Sequence, residues 1–358
     1  MNPDCLKLTC YFGERHRTPS GFVADQLLDI FGRGELATSI MMRGVEGFGL
    51  KHHLRTDTSL TLSEDLPAVA IGVDLRPRIE AVLADVAVVP SIGLITLERA
   101  RMLADGAPVV RMPDDLAAAT RLTIYLGRQD RVGRIPAFAA ACTLLQERGI
   151  AGATVLLGVD GTVRGHRRRA RFFGRNADVP LMVLAVGPGD RVAAALPELD
   201  RVLARPLMTL ERVRICKRDG QLLNRPQQLP ATDRQGRALH QKLMIFTAED
   251  ATHLGRPIHR AITRALRLGG AGGATTLRGI WGFHDGGPPH GDRPFQVGRH
   301  VPTLTVVIDS PERIAAVFPI IDEFTAEQGL VTSELIPAAR VRTGHGYRGG
   351  LGIADHRW

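Results

Sequence analysis

One stretch is written three times in this chain. Leu8-Thr9-Cys10-Tyr11-Phe12-Gly13, Leu122-Thr123-Ile124-Tyr125-Leu126-Gly127 and Leu243-Met244-Ile245-Phe246-Thr247-Ala248 open three similar segments. A glycine pair recurs inside each, as Gly44-Val45-Glu46-Gly47, Gly158-Val159-Asp160-Gly161 and Gly279-Ile280-Trp281-Gly282. A third landmark follows at Asp65-Leu66-Pro67, Asp178-Val179-Pro180 and His300-Val301-Pro302. On every landmark the second copy lies 113 to 114 residues after the first, and the third 121 to 122 after the second. Solenoid units of about 20–50 residues need their neighbours to bury a core. Units of this length are expected to bury their own.

Each copy reads alike as secondary structure. Leu6, Leu8, Cys10 and Phe12 share one face of Leu6–Phe12, the period of two of a half-buried strand. An apolar run at helical spacing, Phe22 to Phe31, is stopped by Gly32 and Gly34. Thr38–Val45 predicts strand two, Ala68–Val73 strand three, Arg76–Val89 a second helix and Leu94–Met102 strand four. Pro136–Leu145 and Ile258–Leu268 fill the first-helix slot, and Ser310-Pro311-Glu312 is a capped helix start. Strand four returns as Met208–Ile215 and Leu330–Ile336, so a glutamate recurs at Glu98, Glu211 and Glu334.

The order β-α-β-β-α-β predicts an α+β chain of three tandem ferredoxin-like units, each a four-stranded antiparallel sheet with both helices on one face. The expected boundaries are copy one 1–103, a link 104–120, copy two 121–217, a strap 218–241, copy three 242–337 and a Gly/Arg/His-rich tail 338–358. The tail's composition predicts mobility.

Chemistry is constrained mostly by what is missing. Four of the 46 basic residues are lysines, so 42 are arginines, spread over all three copies. With aromatics at 5%, a net charge of +9 does not read as a nucleic-acid surface. No G-x-S-x-G, H-E-x-x-H or G-x-x-x-x-G-K-[ST] motif is present, so catalysis is not expected. Met1-Asn2-Pro3-Asp4-Cys5 lacks the basic start and apolar run of a signal peptide. No apolar run is long enough for membrane insertion, and the four cysteines lack C-x-x-C spacing, which together suggest a cytoplasmic protein.

The landmarks as a set resemble the PII-like family known as domain of unknown function 190. They include the first-strand Leu-Thr-x-Tyr-x-Gly, the Arg-Gly-x-x-Gly of Arg43 and Arg278, and the final Thr-x-Glu. The resemblance implies sheets packed around one another with ligand clefts between neighbours. In a single chain that would be an intramolecular, monomeric pseudo-trimer. It further implies a regulatory protein that binds a small anionic ligand such as a nucleotide, and a transporter or channel as partner. The Gly/Lys-rich phosphate turn of PII proper is absent: Val89-Pro90-Ser91-Ile92-Gly93 stands there in copy one.

Candidate ligand residues cluster after strand two, where the copies diverge. Copy one offers Arg43, Gly44, Gly47, His52, His53 and Arg55, and copy two Gly158, Gly161, His166 and Arg168. Copy three offers Arg278, Gly279, Gly282, His284, His290 and Arg293. Cations beside glycines suit an anion held by charge-assisted bonds. The histidines of copy three match no standard tetrahedral metal spacing, so neither a metal nor a cofactor is expected. Two alternatives stay open: a CutA-like metal- or anion-handling protein, and a non-catalytic interaction scaffold.

Overall fold

A computed structural model describes residues 2–49, 53–57, 65–103, 112–163, 166–169, 179–204, 206–284, 287–291, 301–344 and 346–356. Copy one runs β1 Asn2–Gly13, α1 Val23–Arg33, β2 Thr38–Phe48, β3 Pro67–Leu75, α2 Arg76–Val88 and β4 Leu94–Met102. A single helical turn, α3 Asp114–Ala117, leads into copy two. That copy comprises β5 Thr120–Gly127, α4 Ala137–Glu147, β6 Gly152–Leu157, β7 Asp160–Val163, β8 Pro180–Gly187, α5 Gly189–Val202, β9 Leu207–Arg212 and β10 Arg214–Arg218. Copy three comprises β11 His240–Ala248, α6 Ile258–Leu268, β12 Ala274–Phe283, β13 Pro302–Asp309, α7 Pro311–Phe324 and β14 Leu330–Ile336. A hairpin, β15 Ala338–Thr343 and β16 Gly346–Gly350, follows.

The expectation of three ferredoxin-like domains packed as a pseudo-trimer is corrected by the strand pairing. Among the described residues no copy keeps a four-stranded sheet of its own, because twenty strands belong to one continuous sheet and each copy retains only a two-stranded ribbon apart from it. Nine of them close on themselves through antiparallel pairs, in the order β2-β3-β1-β4-β9-β5-β8-β6-β12 and back to β2. The chain is thus mostly β, with a closed antiparallel barrel. Closure removes the edges that separate four-stranded sheets would leave unpaired. The physical cause is strand length. Strand two runs to Phe48, beyond the expected Val45, and its second half pairs with β12 of another copy.

The interior of the closed sheet is one apolar cluster fed by every copy, including Ile40, Met42, Ile71, Leu156, Met182, Leu184, Leu277 and Leu304. Helices cover the outside in three further clusters that also cross copy borders. Phe48 packs with α6 and α7, Phe283 with α4 and α5, and Ala338 with α1 and α2. The α7 start forms as its sequence requires: Ser310 Oγ accepts the Arg313 N–H at 3.3 Å, with Pro311 at the first helical position.

The expected tail forms a paired hairpin. Ala338–Val341 pairs with β4, Arg340 stacks 4.0 Å over Tyr347, and Arg342 N–H donates to the Gly93 carbonyl at 2.8 Å. Arg99 donates to the Ala354 carbonyl at 2.6 Å, holding the chain beyond the hairpin. Composition alone misses these anchors, because the apolar Ala338 and Ala339 are the first residues of the hairpin. No helix among the described residues is long and apolar enough to cross a membrane.

Candidate functional site

The recurrent glycines and prolines form one mechanical device. A Cβ at Gly44 would fall 2.6 Å from Pro67 Cγ, and one at Gly47 would fall 2.6 Å from the Ala274 carbonyl oxygen. At Gly279 and Gly282 the clashes are with Pro302 Cγ at 2.8 Å and the Ala153 carbonyl at 2.3 Å. At Gly158 and Gly161 they are with the Pro180 carbonyl at 2.8 Å and the Ser39 carbonyl at 2.2 Å. In copies one and three strand two bulges between its glycines, and in copy two it is interrupted there; in each copy it passes its own proline onto another copy's strand. These six glycines set backbone approach between strands.

The two recurrent arginines are bound to carboxylates. Arg43 Nε donates to Glu14 at 2.8 Å, and Arg278 Nε to the equivalent Glu249 at 2.7 Å. Arg278 also reaches Asp57 at 3.1 Å, as does Arg260 at 3.3 Å.

Equivalent clefts open where the end of one copy's first strand faces the start of another's second strand. Between copies one and three the cavity measures about 740 Å³; between copies three and two it measures about 40 Å³. Three equivalent positions differ in size between the two. Gly13, Gly49 and Gly272 line the large cleft, where Ala248, His284 and Ala151 stand in the small one. Of the cations beside the small cleft, Arg218 lies 3.6 Å from its neighbour Asp219.

The large cleft carries Arg55, Arg342 and Arg348 together with His16, His53 and His240. Its carboxylates are committed. Asp309 accepts the Gly272 and Ser310 N–H groups at 2.9 and 2.8 Å. Asp65 accepts the Arg15 N–H at 2.6 Å and lies 3.2 Å from His16 Nε2 and 2.9 Å from Arg55. Burial pushes the Asp65 carboxyl up, but bonds from His16 and Arg15 and the Arg55 charge outweigh it and hold it below the usual range. Among the described residues no carboxylate faces Arg342 or His53. Tyr11, Phe48, Leu94 and Ile308 supply apolar wall.

Of the residues expected from sequence, Gly47, His53 and Arg55 converge on this cleft. His284 borders the small one, with its ring centroid 5.9 Å from that of His290. His166 and Arg168 lie on the strand His166–Arg169 that pairs with β7. His52 and Arg293 fall outside the described residues. Sequence reading missed Arg342 and Arg348, since they belong to the hairpin that it took for a mobile tail.

A second charged group lies inside the barrel. Lys7, Arg121 and Lys242 sit directly across the ladder from Glu98, Glu211 and Glu334. Lys7 contacts Glu98 at 2.9 Å and Glu211 at 3.0 Å, and Lys242 contacts Glu98 at 2.6 Å and Glu334 at 3.0 Å. Arg121 bridges Glu211 and Glu334 and is 1% exposed. The carboxylates come close enough together to suit a metal ion, but three buried cations already match them charge for charge. Burial pushes the Glu98 carboxyl up, and Lys242, Lys7 and Arg121 more than reverse it. Burial also brings Lys242 down to about 8, against the pull of Glu334 and Glu98. The sequence held a signal for this ring. The residue before each Leu8, Leu122 and Leu243 landmark is basic, and each copy's glutamate follows it 90 to 92 residues later.

The family model DUF190, described as "Uncharacterized ACR", matches residues 5–102, 119–215 and 240–338. The chain belongs to this family. DUF190 thus accounts for all three copies, with residues 216–239 of the strap region and the C-terminal hairpin beyond Ala338 lying outside the matched spans. Among solved structures, the chain is similar to the "Crystal Structure of an Unknown Protein from Galdieria sulphuraria". That match has 15% identity and a TM-score of 0.17, over 61% of this chain and 97% of the other. A likeness this low carries no argument about the DUF190 chain.

Proposed function

We propose that this DUF190 protein is a non-catalytic, PII-like regulatory protein that binds a small oxyanion-bearing ligand in the cleft between copies one and three. The observation that carries the reading is the inequality of equivalent clefts, about 740 against about 40 Å³, with the cations gathered at the larger. Glycines at positions 49, 272, 273 and 344 let backbone approach the ligand, and Arg55, Arg342 and Arg348 offer charge-assisted donors. The apolar wall of Tyr11 and Ile308 favours an anion that carries a larger organic part, such as a nucleotide. A transporter or channel as the regulated partner follows from the family resemblance.

Inorganic phosphate and sulfate are the minimal ligands on this reading. Two or three charge-assisted bonds in a half-open cleft correspond to millimolar to micromolar affinity, about 4–8 kcal/mol. A thermal-shift screen of sulfate, phosphate and mononucleotides on the full chain tests it. Saturable stabilisation that disappears in the Arg342→Gln/Arg348→Gln double variant supports the reading. Absence of any saturable effect up to about 10 mM, beyond the affinity range given above, contradicts it.

A further inference from the structure

The first residue of β11, His240, is 4% exposed, lines the large cleft and leaves Nδ1 without a partner among the described residues. Strand β16 lies over its ring. Gly349, at φ +78°, passes so close that a Cβ there would fall 3.6 Å from His240 Cε1 and 2.2 Å from the Ala339 carbonyl oxygen. The residue before it, Arg348, lines the same cleft, and across the ladder Asp309 stands beside Gln241. These are the charged groups facing the imidazole: Arg348 from β16 opposes its protonation and Asp309 from β13 favours it. Asp309 already accepts two backbone N–H groups, which share its charge.

Resting on the anion-cleft reading above, we infer that the cleft takes up its anion together with a proton on His240. An oxyanion at Arg342 and Arg348 cancels the Arg348 charge that adds to burial in keeping the imidazole neutral, while Asp309 remains. Without ligand, burial first and the Arg348 charge second hold the imidazole below its ordinary value. With the anion bound, the second cause is removed and only burial opposes protonation. The sign follows: His240 binds more proton in the complex than in the free protein, so affinity strengthens as pH falls through the interval between the two midpoints. One linked proton limits this to about tenfold per pH unit. The cleft then reports acidity as well as ligand.

Sulfate is the suitable probe, because it keeps its double charge across the pH range in which imidazoles titrate. In the full chain, His240 ring titration is followed by NMR with and without saturating sulfate, its signal assigned by loss in His240→Gln. The midpoint should rise by about one pH unit with sulfate. Arg348→Gln should raise the midpoint without sulfate and abolish the further rise. Calorimetry in two buffers of different protonation enthalpy should show proton uptake by the parent protein and none by His240→Gln. Saturable sulfate heat with an unmoved His240 midpoint would overturn this inference and leave the cleft reading intact. No saturable heat would overturn the cleft reading itself.

Discussion

Replacing Arg121 by leucine should leave the barrel interior with three glutamates and two lysines. Arg121 bridges Glu211 and Glu334 and lies 3.8 Å from Glu98, at 1% exposure. A unit charge at that distance is worth about 4 kcal/mol at an effective dielectric of 20, and breaking a buried pair typically costs about 3–5 kcal/mol. A second route limits the loss: one glutamate can take up a proton. Raising its pKa from about 4.3 to the ambient pH costs about 1.4 kcal/mol per unit, so about 4 kcal/mol at pH 7 and about 1 at pH 5. The sign is that of a carboxyl with a raised folded pKa, whose contribution is lost as pH rises. Urea unfolding of parent and variant, followed by circular dichroism at both pH values, reads this directly. The double variant Arg121→Leu/Glu211→Leu restores balance and should lose far less than the sum of its singles. A single variant within about 1 kcal/mol of the parent at pH 7, or a pH-independent loss, would refute the reasoning.

Glu46 is 3% exposed with an unpartnered Oε2 among the described residues, and burial pushes its carboxyl up to about 7 against the pull of Arg260. Its favourable contribution is present below about pH 4.3 and lost as pH rises through 7, so Glu46→Gln should be more stable than the parent at pH 8, by up to about 3 kcal/mol, and equal at pH 4. His259 moves the other way: burial, with Arg260 and Arg278 nearby, brings it down to about 4, and the stability of its neutral form should be lost as pH falls from about 6.5 through that value. Gly282→Ala drives a Cβ to 2.3 Å from the Ala153 carbonyl and should cost about 2–3 kcal/mol, readable as a lowered Tm.

Local structure was legible in the sequence, and pairing was not. The alternation of Leu6, Leu8, Cys10 and Phe12 marks β1 because outward positions pack under α1 and α2. Period-two patterning says which face is buried but names no neighbour across the ladder. The glycine pair at Gly44 and Gly47 marked a bend, yet the bend is the point at which β2 leaves β3 for β12 of another copy. The closed sheet was therefore hidden in a feature already noticed. The buried ring was half visible: Glu98, Glu211 and Glu334 stood out, while Lys7, Arg121 and Lys242 passed as ordinary strand starts. At the cleft, His53 and Arg55 were found because they follow a landmark. Arg342 and Arg348 were missed because composition describes Gly-rich hairpins and mobile tails alike.

Calorimetry of sulfate into the full chain should return one saturable site per chain, because one of the compared clefts measures about 740 Å³ and gathers three arginines while the other measures about 40 Å³. Added sodium chloride should weaken that site, as its attraction is screened over about 10 Å at 0.1 M. Arg342→Gln/Arg348→Gln should remove it. A stoichiometry of three equal sites, or a single site unaffected by the double variant, would contradict the assignment of ligand binding to the cleft between copies one and three.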